Sequence, residues 1–270
     1  PEENRGDRCS LCHTGTKFKN GYCPNHANQY APNMILPPEL SDKINGYNLD
    51  LQFSMDGMHT KWYIPPTGGK DIEIPIVHTN NEIVVRWGEP GAPRTKVVRY
   101  AAGERVKNNI KNTEKEAIIL SVYILGAFSE WKKSGDVPTW CRSDLVEIVS
   151  WGKGQNIGSN CQNKFQACTR LTSIGTPPDI NKVTDMSHMF SEATSFNQSP
   201  EGWKTPKVES TSDMFGHAVN FNQSVVGWEL PEVKDMSNMF YKAANFNQPV
   251  AGWKTPKVEN TSCMFGGADN

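Results

Sequence analysis

Apolar positions in the last third of the chain return in a single register. Met189-Phe190, Met214-Phe215, Met239-Phe240 and Met264-Phe265 stand 25 residues apart. Ala193, Ala218, Ala243 and Ala268 keep that step, as do Val183, Val208, Val233 and Val258. So do the triplets Phe196-Asn197-Gln198, Phe221-Asn222-Gln223 and Phe246-Asn247-Gln248, and the pairs Gly202-Trp203, Gly227-Trp228 and Gly252-Trp253. One step back from Phe190 lies Phe165, and one back from Phe196 lies Leu171, so a degenerate first unit begins near Cys161. A unit this short cannot bury its own apolar face; stacked copies place each Met, Phe and Trp over its equivalent in one continuous core. Met236, Met239, Phe240 and Ala243 sit at helical intervals, which predicts a short helical turn capped by Asp235 or a serine. Phe246 to Trp253 reads as the extended, ladder-forming part, and Pro206, Pro231 and Pro256 mark the turn into the next unit. Asn and Gln at fixed steps can form side-chain ladders at the bends.

Between the fixed positions lie the variable ones. Ser199-Pro200-Glu201, Ser224-Val225-Val226 and Pro249-Val250-Ala251, with Lys204, Glu229 and Lys254, are where such a frame meets a partner. None of them carries catalytic chemistry. The Met, Phe and Trp stripe itself reads as core rather than as an aromatic ligand cage.

The pattern Val-x-x-Met-x-x-Met-Phe-x-x-Ala-x-x-Phe-Asn-Gln followed by Gly-Trp resembles the BspA-like leucine-rich-repeat surface proteins, over about 161–270. That family often carries a preceding β-rich segment with a Val-Asp-Trp-Gly-Asp-Gly-like stretch. Ile83 to Glu89 looks like it, with Arg86 and Glu89 in place of the usual acidic residues. Val97–Tyr100 and Ile118–Gly126 would be its following strands, and Ile148–Gly152 the link into the repeats. The resemblance implies adhesion or scaffolding at a cell surface, not an enzyme, and carries over no binding residue.

Read on its own, the middle of the chain alternates short apolar runs with turn signals. Asp71–Val77 and Glu82–Trp87 have strand chemistry, between loops at Pro65–Gly69 and Glu89–Pro93. That spacing suggests an antiparallel sandwich. Residues 104–116 are charged enough for a helix and 117–128 are β-branched; the resemblance favours strand. Asp71, Glu73, Glu82 and Glu89 are read as solvated surface carboxylates rather than a catalytic pair.

Seven cysteines fall into two groups. Cys9, Cys12 and Cys23 cluster at the start, with His13 and His26. Cys9, Cys12, Cys23 and His26 have the two-knuckle spacing of a tetrahedral zinc site. Cys9, Cys12 and His13 have the Cys-x-x-Cys-His pattern of a c-type haem attachment. Disulfides are the third possibility, with a partner from elsewhere for the odd cysteine. Cys141, Cys161, Cys168 and Cys263 lie in the body. Cys161 or Cys168 is expected to pair with Cys141, and Cys263 to be exposed. His59, His78, His188 and His217 share no spacing with acids or serines.

Composition narrows the classes. With 28 Lys and Arg against 29 Asp and Glu the net charge is −1, which excludes the basic stripe of a nucleic-acid binder. No apolar run approaches the roughly 20 residues that span a bilayer. Together, 22 glycines and 18 prolines favour many turns and short elements.

The expected molecule is mainly β. A cysteine-rich lead-in occupies 1–48, a β-sandwich-like domain 49–150, and a leucine-rich-repeat-type solenoid of about four units 151–270, continuing beyond this stretch. The expected function is a non-catalytic extracellular or cell-surface module with a protein or surface-glycan partner, within a larger assembly. The alternative is an electron-transfer protein with haem at Cys9, Cys12 and His13.

Overall fold

The run Met58–Ile64 alternates strictly, burying Met58, Thr60, Trp62 and Ile64 and turning His59, Lys61 and Tyr63 the other way. That period of two is the pleat of a strand with one face on a core. A computed structural model of the chain describes residues 52–53, 56–78, 80, 82–89, 95–136, 139–153, 155–177 and 179–269. The chain divides into two compact units, Pro1–Asp56 and Gly57–Asn270, and the second holds both the strands and the repeats.

Among the described residues nine strands run in order: β1 Met58–Ile64, β2 Gly68–Glu73, β3 Ile76–Val77, β4 Ile83–Trp87, β5 Lys96–Tyr100, β6 Lys107–Asn112, β7 Ile118–Leu125, β8 Glu130–Trp131 and β9 Leu145–Ser150. A short helix, α1, spans Thr139–Asp144 just before β9. Five strands form an antiparallel sheet in the order β5-β4-β7-β1-β9. β2 pairs with β6 and β3 with β8 as two-stranded ribbons. The chain is mainly β, as its pattern predicts. Where a sandwich needs a second full sheet, the described residues supply these two ribbons. The charged segment after Glu104 is strand, not helix: Lys107, Asn109 and Lys111 are exposed while Asn112 is buried against the carbonyls of Pro65 and Glu116.

β9 serves two neighbours. It closes the five-stranded sheet against β1 and makes a parallel bridge through Glu147 to Ser173 in the first repeat. Trp151 Nε1 then donates to the Ile174 carbonyl at 2.8 Å. β9 and Trp151 thus join the sheet to the first repeat. Lys164, fully buried, is satisfied by the Glu130 carboxylate at 2.6 Å and the Trp131 carbonyl. A buried ammonium is tolerable only with such partners.

In the repeats, the Met-Phe segment is not helical. His188 and Glu192 have φ of +55° and +61°, and Asp213, His217, Asn238 and Lys242 repeat the pattern. Each sits third in a tight turn, as His188 does where Met189 N–H donates to the Met186 carbonyl. A left-handed residue at every fourth position breaks a helical ladder and turns alternate N–H groups outward along the stack. Those groups bond the next unit: Met186, His188, Phe190 and Glu192 donate to the carbonyls of Ser210, Ser212, Met214 and Gly216 at 2.8–2.9 Å. Parallel bridges link Asp185, Ser210, Asp235 and Asn260 in turn. The ladder thus runs through the segment whose spacing predicts a helical turn, while Phe246–Trp253 forms no strand. Spacing of three and four residues is shared by helices and by chains of tight turns, so it does not separate them.

The core is continuous from Met58 to Met264. Phe165, Phe190, Phe215, Phe240 and Phe265 stack with centroids 5.5–5.7 Å apart. Phe196, Phe221 and Phe246 make a second column 5.8–6.3 Å apart. The two columns touch at 3.9–4.0 Å within each unit. Offset stacking of this kind adds to the burial of the rings themselves. The degenerate first unit is part of the stack through Phe165 and, at 5.9 Å, Trp131.

Candidate interaction surface

On the loop side of the repeats, Gly202 takes a positive φ of +80°, with Gly227 and Gly252 alike. This turns the chain sharply and drives Trp203, Trp228 and Trp253 inward. Trp228 Nε1 donates to Thr205 Oγ1 at 3.1 Å, which in turn donates to the Glu229 carbonyl, so one unit's tryptophan is pinned by its neighbour's loop. The residues flanking each tryptophan are left outside: Glu201, Lys204 and Glu229 are exposed.

Two adjoining grooves open there. One, of about 370 Å³, is lined by Pro177, Asp179, Asn181, Gln198, Glu201 and Lys204 among others. The second, of about 390 Å³, lies beside it and includes Lys204, Thr205, Pro206, Glu229 and Pro231. Asn181, Gly202, Trp203 and Lys204 belong to both. Their walls combine positions that differ between units, Glu201, Lys204 and Glu229, with constant ones such as Gln198, Pro206 and Pro231. Glu201, Lys204 and Glu229, singled out as variable positions, line them. The variable triplets need correction in one respect: Pro200 and Val225 are buried, and Val250 packs against the core. Only the flanking residues face outward.

Asparagines hold the loops in register. Asn222 Oδ1 accepts from the Asn247 N–H at 2.9 Å and from Gln248 Nε2 at 3.0 Å, and Asn197 Oδ1 accepts from the Asn222 N–H at 2.9 Å. Gln198 pairs with the Ile174 N–H and the Gly175 carbonyl. The side-chain ladder expected from fixed Asn and Gln steps is present. At the entry to each unit, Asn160, Asp185, Ser210, Asp235 and Asn260 accept from the N–H two residues on. These are turn-capping bonds, which suits short polar side chains.

A second polar group lies on the sheet face opposite Trp62 and Trp87, and its Arg86 is buried. Arg86, Tyr123 and His59 are cross-strand neighbours on β4, β7 and β1. The His59 ring stacks on Tyr123 at 4.2 Å, and the Arg86 guanidinium lies 4.2 Å from the centre of the same ring. Tyr123 donates to Glu89 at 2.8 Å, and His59 Nε2 is 3.1 Å from Ser121 Oγ. Ser121 does most to hold the Glu89 carboxyl below its usual range; burial pushes the other way, and the hydrogen bond from Tyr123 adds a smaller lowering. Burial holds the His59 imidazole below its usual pKa. The histidine pattern along the sequence hides this grouping, because β1 and β7 meet only in the sheet. Arg86 and Glu89 both belong to it.

Of the four carboxylates expected to be solvated at the surface, Glu73 is instead buried on Arg105, while Asp71 accepts from Asn109, Glu82 pairs with Arg99 at 2.9 Å and Glu89 accepts from Tyr123. Cys161 and Cys168 are free buried thiols, not half-cystines, and desolvation pushes both up to about 12. Packing around Phe165 therefore protects them from oxidation. Cys263 is free and exposed, as its repeat position predicts. Cys9, Cys12, His13, Cys23 and His26 lie outside the described residues, so the zinc and haem expectations lie outside them too. Among the described residues no three His, Cys, Asp or Glu side chains are grouped to hold a metal ion. Nor is any helix there long and apolar enough to cross a membrane.

Residues 159–270 match a family described as a Mycoplasma protein of unknown function, DUF285. The match begins beside Cys161, where the stack begins, and leaves the strand region outside it. No curated protein and no solved structure matches the chain.

Proposed function

We propose that the chain is a non-catalytic interaction module, displayed outside the cell or on its surface, built on a leucine-rich-repeat-type solenoid of the BspA-like kind. The observation that carries this reading is the division of labour in each unit. Constant Met, Phe, Asn and Trp positions make a rigid frame, and variable charged positions, Glu201, Lys204 and Glu229, stand on the grooves beside it. A rigid frame presents its side chains to a protein or glycan with little ordering penalty. The mixed charges of Glu201, Lys204 and Glu229 suit polar recognition. The sheet and the buried link at Trp151 anchor the first unit, so the frame is held from one end.

Two measurements test the proposal. Intact cells that make the protein, treated with a membrane-impermeant biotin reagent, should label it. The purified chain, screened on arrays of matrix proteins and surface glycans, should bind at least one class, and the charge-reversed variant Glu201→Lys, Lys204→Glu, Glu229→Lys should lose that binding while staying folded. A chain that labels only after lysis, or binding indifferent to the triple change, would sink the reading.

A further inference from the structure

Asn197-Gln198-Ser199, Asn222-Gln223-Ser224 and Asn260-Thr261-Ser262 share the form Asn-x-Ser/Thr, and all lie in the repeats. Such a triplet is the acceptor for an N-linked glycan, which is joined to the asparagine Nδ2. A triplet recurs by chance, so the fold decides which can carry a sugar. The addition is tolerated only where that nitrogen reaches water and holds nothing in place.

Asn222 meets both conditions. It is tied to the stack by its oxygen alone: Oδ1 accepts from the Asn247 N–H at 2.9 Å and from Gln248 Nε2 at 3.0 Å. Its Nδ2 has no hydrogen-bond partner, yet it is not buried. A sugar on Nδ2 therefore leaves both ladder bonds to Oδ1 intact. By contrast Asn109, Asn112 and Asn245 spend their nitrogens on Asp71, on the carbonyls of Pro65 and Glu116, and on Asn220. Asn260 stands in the bridged row instead, and its oxygen caps its own turn. Asn197 is the equivalent of Asn222 one unit earlier, with its Oδ1 on the Asn222 N–H at 2.9 Å. There Pro200 follows Ser199, and a residue before proline is kept out of the turned conformations that bring its hydroxyl back to the asparagine. Val225 imposes no such limit on Ser224. One unit later Pro249 replaces the serine, so Asn247 lacks the acceptor hydroxyl.

We infer that Asn222 is the acceptor for an N-linked glycan, the sugar standing off the asparagine column while the column's oxygens keep the units in register. The inference rests on the proposal that the chain lies outside the cell, because such glycans are transferred to chains on a route out of it. Asn197 and Asn222 are one hydrogen bond apart, so a branched sugar on one closes the column to a second. Asn222 lines neither of the two grooves, so the glycan shields the loop column and leaves Glu201, Lys204 and Glu229 open to a partner.

The test uses the native protein. Intact cells that make it are treated with the impermeant biotin reagent, and the labelled chain is recovered. Peptide N-glycosidase in heavy-oxygen water should convert Asn222 to heavy aspartate and speed the chain on a denaturing gel by the loss of one glycan. Ser224→Ala, which leaves the Asn222 oxygen on its ladder partners, should abolish that shift, and Asn197→Gln should keep it. A biotin-labelled chain with a bare Asn222 overturns the inference and leaves the surface reading standing. A shift that survives Ser224→Ala, or one lost in Asn197→Gln, overturns the assignment to Asn222. A chain that labels only after lysis and has a bare Asn222 overturns both readings.

Discussion

Replacing Phe215 by alanine probes the stack at its centre. The ring is fully buried and stacked on Phe190 and Phe240 at 5.7 Å, on Phe221 at 4.0 Å and on Phe196 at 6.3 Å. Every neighbour is itself fixed in a column, so the space cannot collapse. A large-to-small change in such a site costs about 3–5 kcal/mol, and loss of the aromatic contacts places it at the upper end. Phe265→Ala is the internal control. Its ring is the same, but 43% of the residue is in water and one side of the column is open. It should cost about 1–2 kcal/mol. Urea titration followed by tryptophan fluorescence reads both, with near-ultraviolet dichroism to confirm one transition. Amide exchange of Phe190 and Phe240 then shows whether the loss spreads to both neighbouring units, as stacked repeats require. A loss below about 0.5 kcal/mol for Phe215→Ala, or one equal to that of Phe265→Ala, would refute the continuous core.

Other consequences follow from single contacts. Asn222→Ala removes the acceptor for the Asn247 N–H and Gln248 and should cost about 1 kcal/mol by thermal melting; Asn222→Asp, which keeps the acceptor oxygen, should lose much less. Glu192→Gly relieves a side chain held at φ +61° and should raise stability by about 0.5–1 kcal/mol, whereas Ser191→Gly should lower it, in the same urea assay. Burial, partly offset by His188, raises the Asp213 carboxyl above its usual value of 3.8. The native state therefore holds this proton more tightly than the unfolded chain, so the contribution of Asp213 to stability falls as pH rises through the carboxylate range. Asp213→Asn should flatten the stability-versus-pH curve just above pH 3.8; an unchanged slope would show that Asp213 is solvated in the native state.

Much of the core was legible along the chain because a repeat writes the same contact several times. The columns of Met, Phe and Trp, the start near Cys161, the Asn and Gln ladder and the strands at Asp71 and Ile83 follow from period and residue type, whereas the strands at Val97 and Ile118 were expected from the resemblance. The local form of the Met-Phe segment was not. Met236, Met239, Phe240 and Ala243 fit a helix and a chain of turns equally, and the left-handed residues that decide it include Ala167, Glu192 and Lys242, which advertise no such preference. Likewise Cys161 and Cys168 resemble half-cystines until their burial is known.

The candidate surface divides the same way. Sequence alone picked out Glu201, Lys204 and Glu229 as positions free to vary, since nothing periodic constrains them. Only the fold placed them on two adjoining grooves, because Gly202 and Gly227 turn the chain and send the neighbouring tryptophans inward. The grouping of His59, Ser121, Tyr123, Arg86 and Glu89 belongs wholly to tertiary structure: strand order β4-β7-β1 brings together residues far apart in the chain. Sequence by itself determined what repeats and what must be buried, because burial selects residue type at each position. The direction of the hydrogen bonds between units was decided only by backbone conformation, which side-chain type does not record.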